Sequence, residues 1–142
     1  MKNFEKNAGL NFSNSEMKSN KQVIVIADAD LSTRIFLKLK LEEAGYEIKE
    51  TKTGAEAWDI ISSKNISLLI MEMKLPELHG SDLLKNIKKK SPKLPVIIYT
   101  EHEEFSADMT VVTFPNHEYM MKPTPIEKIL RTIKLLLESP IN

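Results

Sequence analysis

The sequence has no cysteine, four glycines, one tryptophan and no excess charge of either sign, since 20 basic residues balance 20 acidic ones. The missing thiol removes disulfide frameworks, thiolate zinc sites and cysteine nucleophiles together, and it is compatible with a reducing compartment. Balanced charge leaves no single-sign field of the kind that draws a chain to nucleic acid or to a membrane surface. The longest apolar stretch, around Ile66 to Met71, is about six residues, whereas a membrane span needs about 20. The N-terminus also lacks the apolar core of a signal peptide. These absences predict a cytoplasmic chain with neither a nucleic-acid nor a membrane partner. Walker, dinucleotide-glycine and G-x-S-x-G motifs are missing. His79, His102 and His117 have no i, i+4 spacing, so His102-Glu103-Glu104 reads as a solvated loop and not as a metal site.

What is present suits one core, because 142 residues are too few for two ordinary domains. Residues 1 to 21 are rich in Asn, Ser and Lys, with scattered Phe4, Leu10 and Phe12, and read as a flexible polar tail. From residue 22 to 142 short β-branched runs alternate with longer helical segments, the pattern of a parallel sheet wrapped by crossover helices.

The first strand is QVIVIA, 22 to 27, a continuous apolar run fit for burial on both faces. Leu31, Ile35, Leu39 and Leu41 to Ala44 set a helical face that Gly45 ends. A strand from Tyr46 to Thr51 leads to Thr53-Gly54-Ala55-Glu56, a capping box opening a second helix, with Trp58 and Ile61 expected inward. ISLLIM, 66 to 71, is the third strand; Ser81 is expected to cap a helix carrying Leu83, Leu84 and Ile87 inward and Lys88 to Lys90 at its negative end. PVIIYT, 95 to 100, and His117 to Met121 complete the strands. The last helix is expected to open on Thr124 as cap and Pro125, with Ile126, Ile129, Leu130, Ile133 and Leu136 or Leu137 facing the core. Between them, Thr110-Val111-Val112-Thr113-Phe114-Pro115 is β-branched and closed by proline, so the fourth crossover helix is expected to be short, displaced or absent. Met71, Met73, Met120 and Met121 flank strands and read as core or rim.

A doubly wound sheet binds ligands outside the carboxyl ends of its strands. Asp28 and Asp30 stand there after the first strand, Glu72 and Lys74 after the third, Thr100 after the fourth, and Lys122-Pro123 after the fifth. Strand ends are exposed and commonly polar, so this cluster alone does not establish a site.

The order of these residues goes further. Ala27-Asp28-Ala29-Asp30, Glu72-Met-Lys-Leu-Pro76-Glu-Leu-His-Gly80, Thr100 and Tyr119-Met-Met-Lys122-Pro123 resemble response-regulator receiver domains of the CheY-like superfamily over about 22 to 138. Arg34 and Gly45 also fall where many receivers have them. The resemblance implies an α/β, flavodoxin-like fold, a five-stranded parallel sheet in the order 2-1-3-4-5, and a two-component signalling role without enzymatic activity.

It also implies departures. Receivers phosphorylate an aspartate after the third strand, with Mg²⁺ held by an acidic pair, that aspartate and a nearby backbone carbonyl. Glu72 takes the acceptor position and is one methylene longer, which displaces its oxygens by about 1 to 1.5 Å from the in-line position. Aligned through Arg34, the second acidic residue becomes Ala29, which leaves Asp28 and makes Mg²⁺ disfavoured, so no cofactor is expected, with Asp28 and Glu72 as the ligands if a metal binds. Asp30 of the acidic pocket lies beside the site but points to the other side if the strand continues. Lys74 stands where its ammonium could reach the emptied metal position and pair with Asp28 or Glu72; the alternative is a solvated loop lysine. Thr100, Tyr119 and Lys122 correspond to the switch and phosphate-sensing residues, with a Glu72–Lys122 ion pair and Thr100 donating to Glu72 as the expected geometry. The chain then reads as a pseudo-receiver that contacts a partner protein, such as a histidine kinase or another regulator, as a monomer or weak homodimer through the fifth strand and last helix. The alternative is a working phosphoacceptor in a phosphorelay. An unrelated flavodoxin-like enzyme lacks a catalytic constellation.

Overall fold

The computed structural model describes residues 21–138. The expected tail, apart from Lys21, and the last residues of the 22 to 142 domain lie outside them. The elements are β1 (Val23–Ala27), α1 (Leu31–Glu43), β2 (Glu47–Thr51), α2 (Gly54–Ser63), β3 (Leu68–Met71), α3 (Gly80–Lys90), β4 (Val96–Thr100), a 3-10 segment (Glu103–Ala107), α4 (Met109–Val112), β5 (His117–Met121) and α5 (Ile126–Glu138). All strand pairs are parallel, in the order β2-β1-β3-β4-β5. This is the expected doubly wound receiver fold.

The three central strands are the most apolar, as burial on both faces demands. Val25, Ala27, Leu69, Met71, Val96 and Ile98 pack with Ala57, Ile61, Leu83, Leu84, Ile87, Val111 and Phe114 from α2, α3 and the α4 region. Ile24, Ile26, Leu68, Ile70, Ile97 and Tyr99 pack on the other face with Leu37 and Leu41 of α1 and Ile129 and Ile133 of α5. The fourth crossover is one 3-10 segment followed by a single α turn, because β-branched residues and Pro115 oppose a longer helix.

Several local expectations are corrected. Helix α1 forms where expected but turns another face inward: Arg34, Leu37 and Leu41 are buried, while Leu31, Ile35 and Leu39 are exposed. Trp58, half-buried, and Ile61, buried, do pack against the core as expected, with Ala57 completing the inward face of α2. Thr53 caps α2 as expected, accepting from Glu56 N at 3.0 Å, but Glu56 reaches back to Lys52 N and not to Thr53. The cap of α3 is His79, whose Nδ1 accepts from Ser81 N at 3.1 Å, rather than Ser81 itself. Thr124 does not cap α5. Its hydroxyl donates to Met121 O, and the Pro125 carbonyl accepts from Ile129 N.

Candidate functional site

Register assembles the site. Ala27 pairs with both Thr51 and Met71, and Thr100 pairs with Met121, so the residues that follow these ends share one edge. Glu72 N donates to Ala27 O at 2.9 Å and Lys122 N donates to Thr100 O at 2.8 Å. Ladder hydrogen bonds thus continue one residue past the strands and fix where the side chains begin.

At this edge the Lys122 ammonium lies 2.8 Å from Asp28 Oδ2 and 3.2 Å from Glu72 Oε1. All three side chains are largely buried, at 15% exposure for Lys122, 6% for Asp28 and 8% for Glu72. Each carboxylate spends its second oxygen on backbone. Asp28 Oδ1 accepts from Asp30 N at 2.9 Å, and Glu72 Oε2 accepts from Met73 N at 2.7 Å. The Lys122 ammonium also stands 5.7 Å from the centre of the Tyr99 ring, within cation–π range.

Burial pushes the Asp28 carboxyl above the usual aspartate range; the Lys122 hydrogen bond and the Asp30 amide pull it back only in part, and the Glu72 charge adds to the rise. Burial works against the Lys122 ammonium, yet its hydrogen bond to Asp28 and the charges of Asp28 and Glu72 outweigh that cost and hold its value raised. Two carboxyl groups therefore share one protonated lysine in a compact network.

Asp28 is held from behind by Arg34, whose Nη1 donates to the Asp28 carbonyl at 2.7 Å while Nε donates to Glu50 Oε1 at 3.1 Å. A buried guanidinium with its fork filled on both sides ties β1 to β2 under the site. Glu50 and Tyr99 were not singled out from sequence. Their strand alternation alone gives no sign of a partner on a helix or at a distant lysine.

Other expected site residues are placed elsewhere. Asp30 does not enter the acidic pocket; it caps α1, its Oδ2 accepting from Thr33 N at 3.0 Å and from Thr33 Oγ1 at 2.6 Å. Those two bonds hold its carboxyl below the usual range. Lys74 is exposed, and among the described residues its ammonium makes no ion pair with Asp28 or Glu72; only its backbone N approaches Glu72 Oε2, at 3.5 Å. The loop turns at Met73 O, which accepts from Leu75 N, so this side chain is carried outward. Thr100 is fully buried, but its Oγ1 accepts from His102 N at 3.1 Å and makes no bond to Glu72. Tyr119 donates its hydroxyl to the His102 carbonyl. Thr100 and Tyr119 thus meet through the two backbone polar groups of His102. Burial raises the Tyr119 phenol, so it stays a donor.

The loop after Glu72 is anchored to α2. Leu78 N donates to Pro76 O across Glu77, whose φ of 69° is the left-handed region that a side chain disfavours. Gly54 N also donates to Pro76 O, at 3.1 Å, and a Cβ at Gly54 would overlap the Leu78 carbonyl.

A family model of the response regulator receiver domain matches residues 24–134. The chain belongs to the receiver-domain family. This receiver is similar to the DNA-binding transcriptional regulator NtrC of Bradyrhizobium sp. (strain RP501 Parasponia), 31% identical over 117 residues, covering 82% of this chain and 24% of that one. NtrC of Escherichia coli (strain K12) is 30% identical over 112 residues, covering 79% and 24%. A CheY-like receiver domain structure from Methanospirillum hungatei JF-1 superposes with a TM-score of 0.79 at 27% identity, covering 84% of this chain and 95% of that one. The response regulator TrrA of Thermotoga maritima, solved in complex with Mg(2+)-BeF, has a TM-score of 0.75 at 27% identity, covering 82% and 99%. The chain spans 24% of the length of those NtrC relatives.

The magnesium ion implied by the receiver family does not fit this donor set. Magnesium takes oxygen ligands in near-octahedral array. Here Ala29 brings no donor, Lys122 already engages both Asp28 and Glu72, and among the described residues no group of three or more His, Cys, Asp or Glu converges to hold a metal. No helix of the described residues is long and apolar enough to cross a membrane.

Proposed function

We propose that this receiver domain does not take up a phosphoryl group at Glu72 and acts through protein contact in one fixed state. The observation that carries the reading is the Lys122 ammonium bonded to Asp28 and Glu72 together. In-line phosphoryl transfer needs an acceptor oxygen free to attack and a cation balancing the incoming charge. Glu72 is engaged on both oxygens, by Lys122 and by Met73 N, and the cation-holding acidic pair is reduced to Asp28. The same contacts supply a permanent anion for Lys122, so the domain has no empty state to switch from.

The output surface in this reading is the β5 and α5 face with the short α4 beside it, where Met109, Val112, Met121 and Leu135 are exposed. A histidine kinase or another regulator is the partner class, with a weak homodimer as the self-contact; the NtrC4 receiver, 28% identical with a TM-score of 0.74, was solved as a beryllofluoride-activated dimer. Neither enzymatic activity nor a cofactor belongs to this reading, and its compartment is the cytoplasm.

Titrating Mg²⁺ into the protein while following the amide NMR signals of Asp28, Met73 and Lys74 tests it. No saturable shift is expected up to millimolar Mg²⁺, and saturation in that range contradicts it.

A further inference from the structure

His79 caps α3 through an acceptor that a proton removes. Its Nδ1 accepts from Ser81 N at 3.1 Å, so that nitrogen carries no proton in this state. Helix caps are ordinarily the oxygens of Ser, Thr, Asp or Asn, which remain acceptors through neutral and mildly acidic pH. Histidine is the side chain that ordinarily changes charge between about pH 5 and 8, and an imidazolium has two donors and no acceptor. A proton on Nδ1 therefore takes away the partner of Ser81 N and sets a positive charge at the positive end of the α3 dipole.

The same ring is packed against the segment that stands in for the fourth crossover helix. The Phe105 ring lies 5.7 Å from the His79 ring in a tilted arrangement and 6.2 Å from the His102 ring, edge-on. Ser81 Oγ approaches Asp108 Oδ2 at 3.5 Å, and Asp108 Oδ1 caps α4 by accepting from Thr110 N at 2.8 Å. Beyond Phe105, His102 N donates to Thr100 Oγ1 and the His102 carbonyl accepts from the Tyr119 hydroxyl. The cap of α3 thus touches the 3-10 segment at Phe105 and α4 at Asp108, and the first of these contacts leads on to Thr100 and Tyr119.

The surrounding charges favour movement of a protonated ring toward that segment. Asp82 stands in the first turn of α3, and the loop before the cap carries Lys74 and Glu77. Glu103 and Glu104 open the 3-10 segment and Asp108 closes it. Helix α2 meets the loop where Gly54 abuts the Leu78 carbonyl, and brings Lys52 and Glu56 to that side, with Lys52 N donating to Glu56 Oε1. His102 lies across Phe105, its Nδ1 4.0 Å from Glu104 Oε2. Carboxylates outnumber cations around the ring, and an imidazolium also suits the face of Phe105.

We propose that His79 is a proton-operated latch between α3 and the Glu103–Asp108 segment. The neutral ring caps α3 and holds Phe105 in the place described; protonation frees Ser81 N and shifts the segment that carries Phe105 and His102. The latch acts outside the network of Lys122, Asp28 and Glu72, and it does not depend on whether Glu72 accepts a phosphoryl group.

The test is an NMR titration of the full chain, labelled with ¹⁵N, from about pH 8 to about pH 5. In wild type the amides of Ser81, Phe105 and His102 are expected to shift together, with the midpoint shown by the ring C–H signals of His79. In His79→Asn, whose side-chain oxygen caps throughout this range, the Ser81 and Phe105 shifts are expected to vanish. His102→Gln is expected to leave the Ser81 shift in place. A Ser81 amide that stays still, or one whose shift is lost in His102→Gln, overturns the proposal. A Ser81 shift that leaves Phe105 unmoved overturns it too, since the cap would then titrate without moving the segment. The wild-type titration alone decides between these outcomes if a variant fails to fold, because the His79 and His102 rings are followed separately.

Discussion

Lys122 Nζ lies 2.8 Å from Asp28 Oδ2 although 94 residues separate them in the chain. The parallel register of β1, β3, β4 and β5 makes this meeting possible, and Glu72 joins from the adjacent strand end at 3.2 Å. A lysine between two buried carboxylates offsets the repulsion between them.

Lys122→Met should therefore be costly at neutral pH, by about 3 to 5 kcal/mol, because it leaves two neighbouring buried carboxylates without a cation. The loss should shrink as pH falls and the raised Asp28 carboxyl takes up its proton. Urea unfolding at pH 7 and pH 4.5 checks this. An equal loss at both pH values would show that the charges are not the source.

Asp28→Asn separates charge from hydrogen bonding. Burial raises the folded-state value of Asp28, so the folded protein holds that proton more tightly than the unfolded chain does. Its contribution to stability is then greatest at low pH and declines as pH rises from about 3.9, the ordinary aspartate value, through the raised folded value. The variant forfeits one acceptor to Asp30 N or Lys122, a pH-independent loss of roughly 1 kcal/mol. Relative to wild type it should gain stability between pH 4 and pH 7. A flat difference across that range would contradict the raised value.

Gly54→Ala tests the anchoring of the loop after Glu72. Alanine in the first helical turn ordinarily gains about 1 kcal/mol over glycine. Here the added Cβ would stand 2.8 Å from the Leu78 carbonyl carbon, and backbone gives way less readily than a side chain. The clash should win, with a net loss of about 2 kcal/mol or more by chemical denaturation. An unchanged or raised denaturation midpoint would show that the Pro76–Leu78 loop moves freely.

The fold was legible because strand burial writes itself into the sequence. Ile24 to Ala27 and Val96 to Thr100 are buried throughout and are apolar or β-branched, with Tyr99 the exception. The weak fourth helix was equally readable from Val111, Val112 and Pro115. The face of α1 was not, because Leu31, Ile35 and Leu39 repeat as regularly as the residues that are buried, and the inward face includes a charged Arg34. Apolar period alone cannot choose between two faces when a guanidinium fills the inner one.

In the site, the ladder positions of Asp28, Glu72, Thr100 and Lys122 followed from strand ends, but side-chain direction did not. Asp30 is drawn off by the α1 amides, Thr100 by His102 N, and Lys74 by the turn at Met73. Each is a short-range competitor for a polar group, and such competition depends on backbone angles that residue types alone do not specify.

The central claim, that Ala29 and Glu72 together remove phosphoryl transfer and leave Lys122 bonded to the remaining carboxylates, is tested most directly by intact mass after incubation with Mg²⁺ and acetyl phosphate. Wild type is compared with the double variant Ala29→Asp, Glu72→Asp. The wild-type mass should stay unchanged while the double variant gains one phosphoryl group. A stoichiometric phosphoryl gain on the wild-type protein, lost again in Glu72→Gln, would contradict the account.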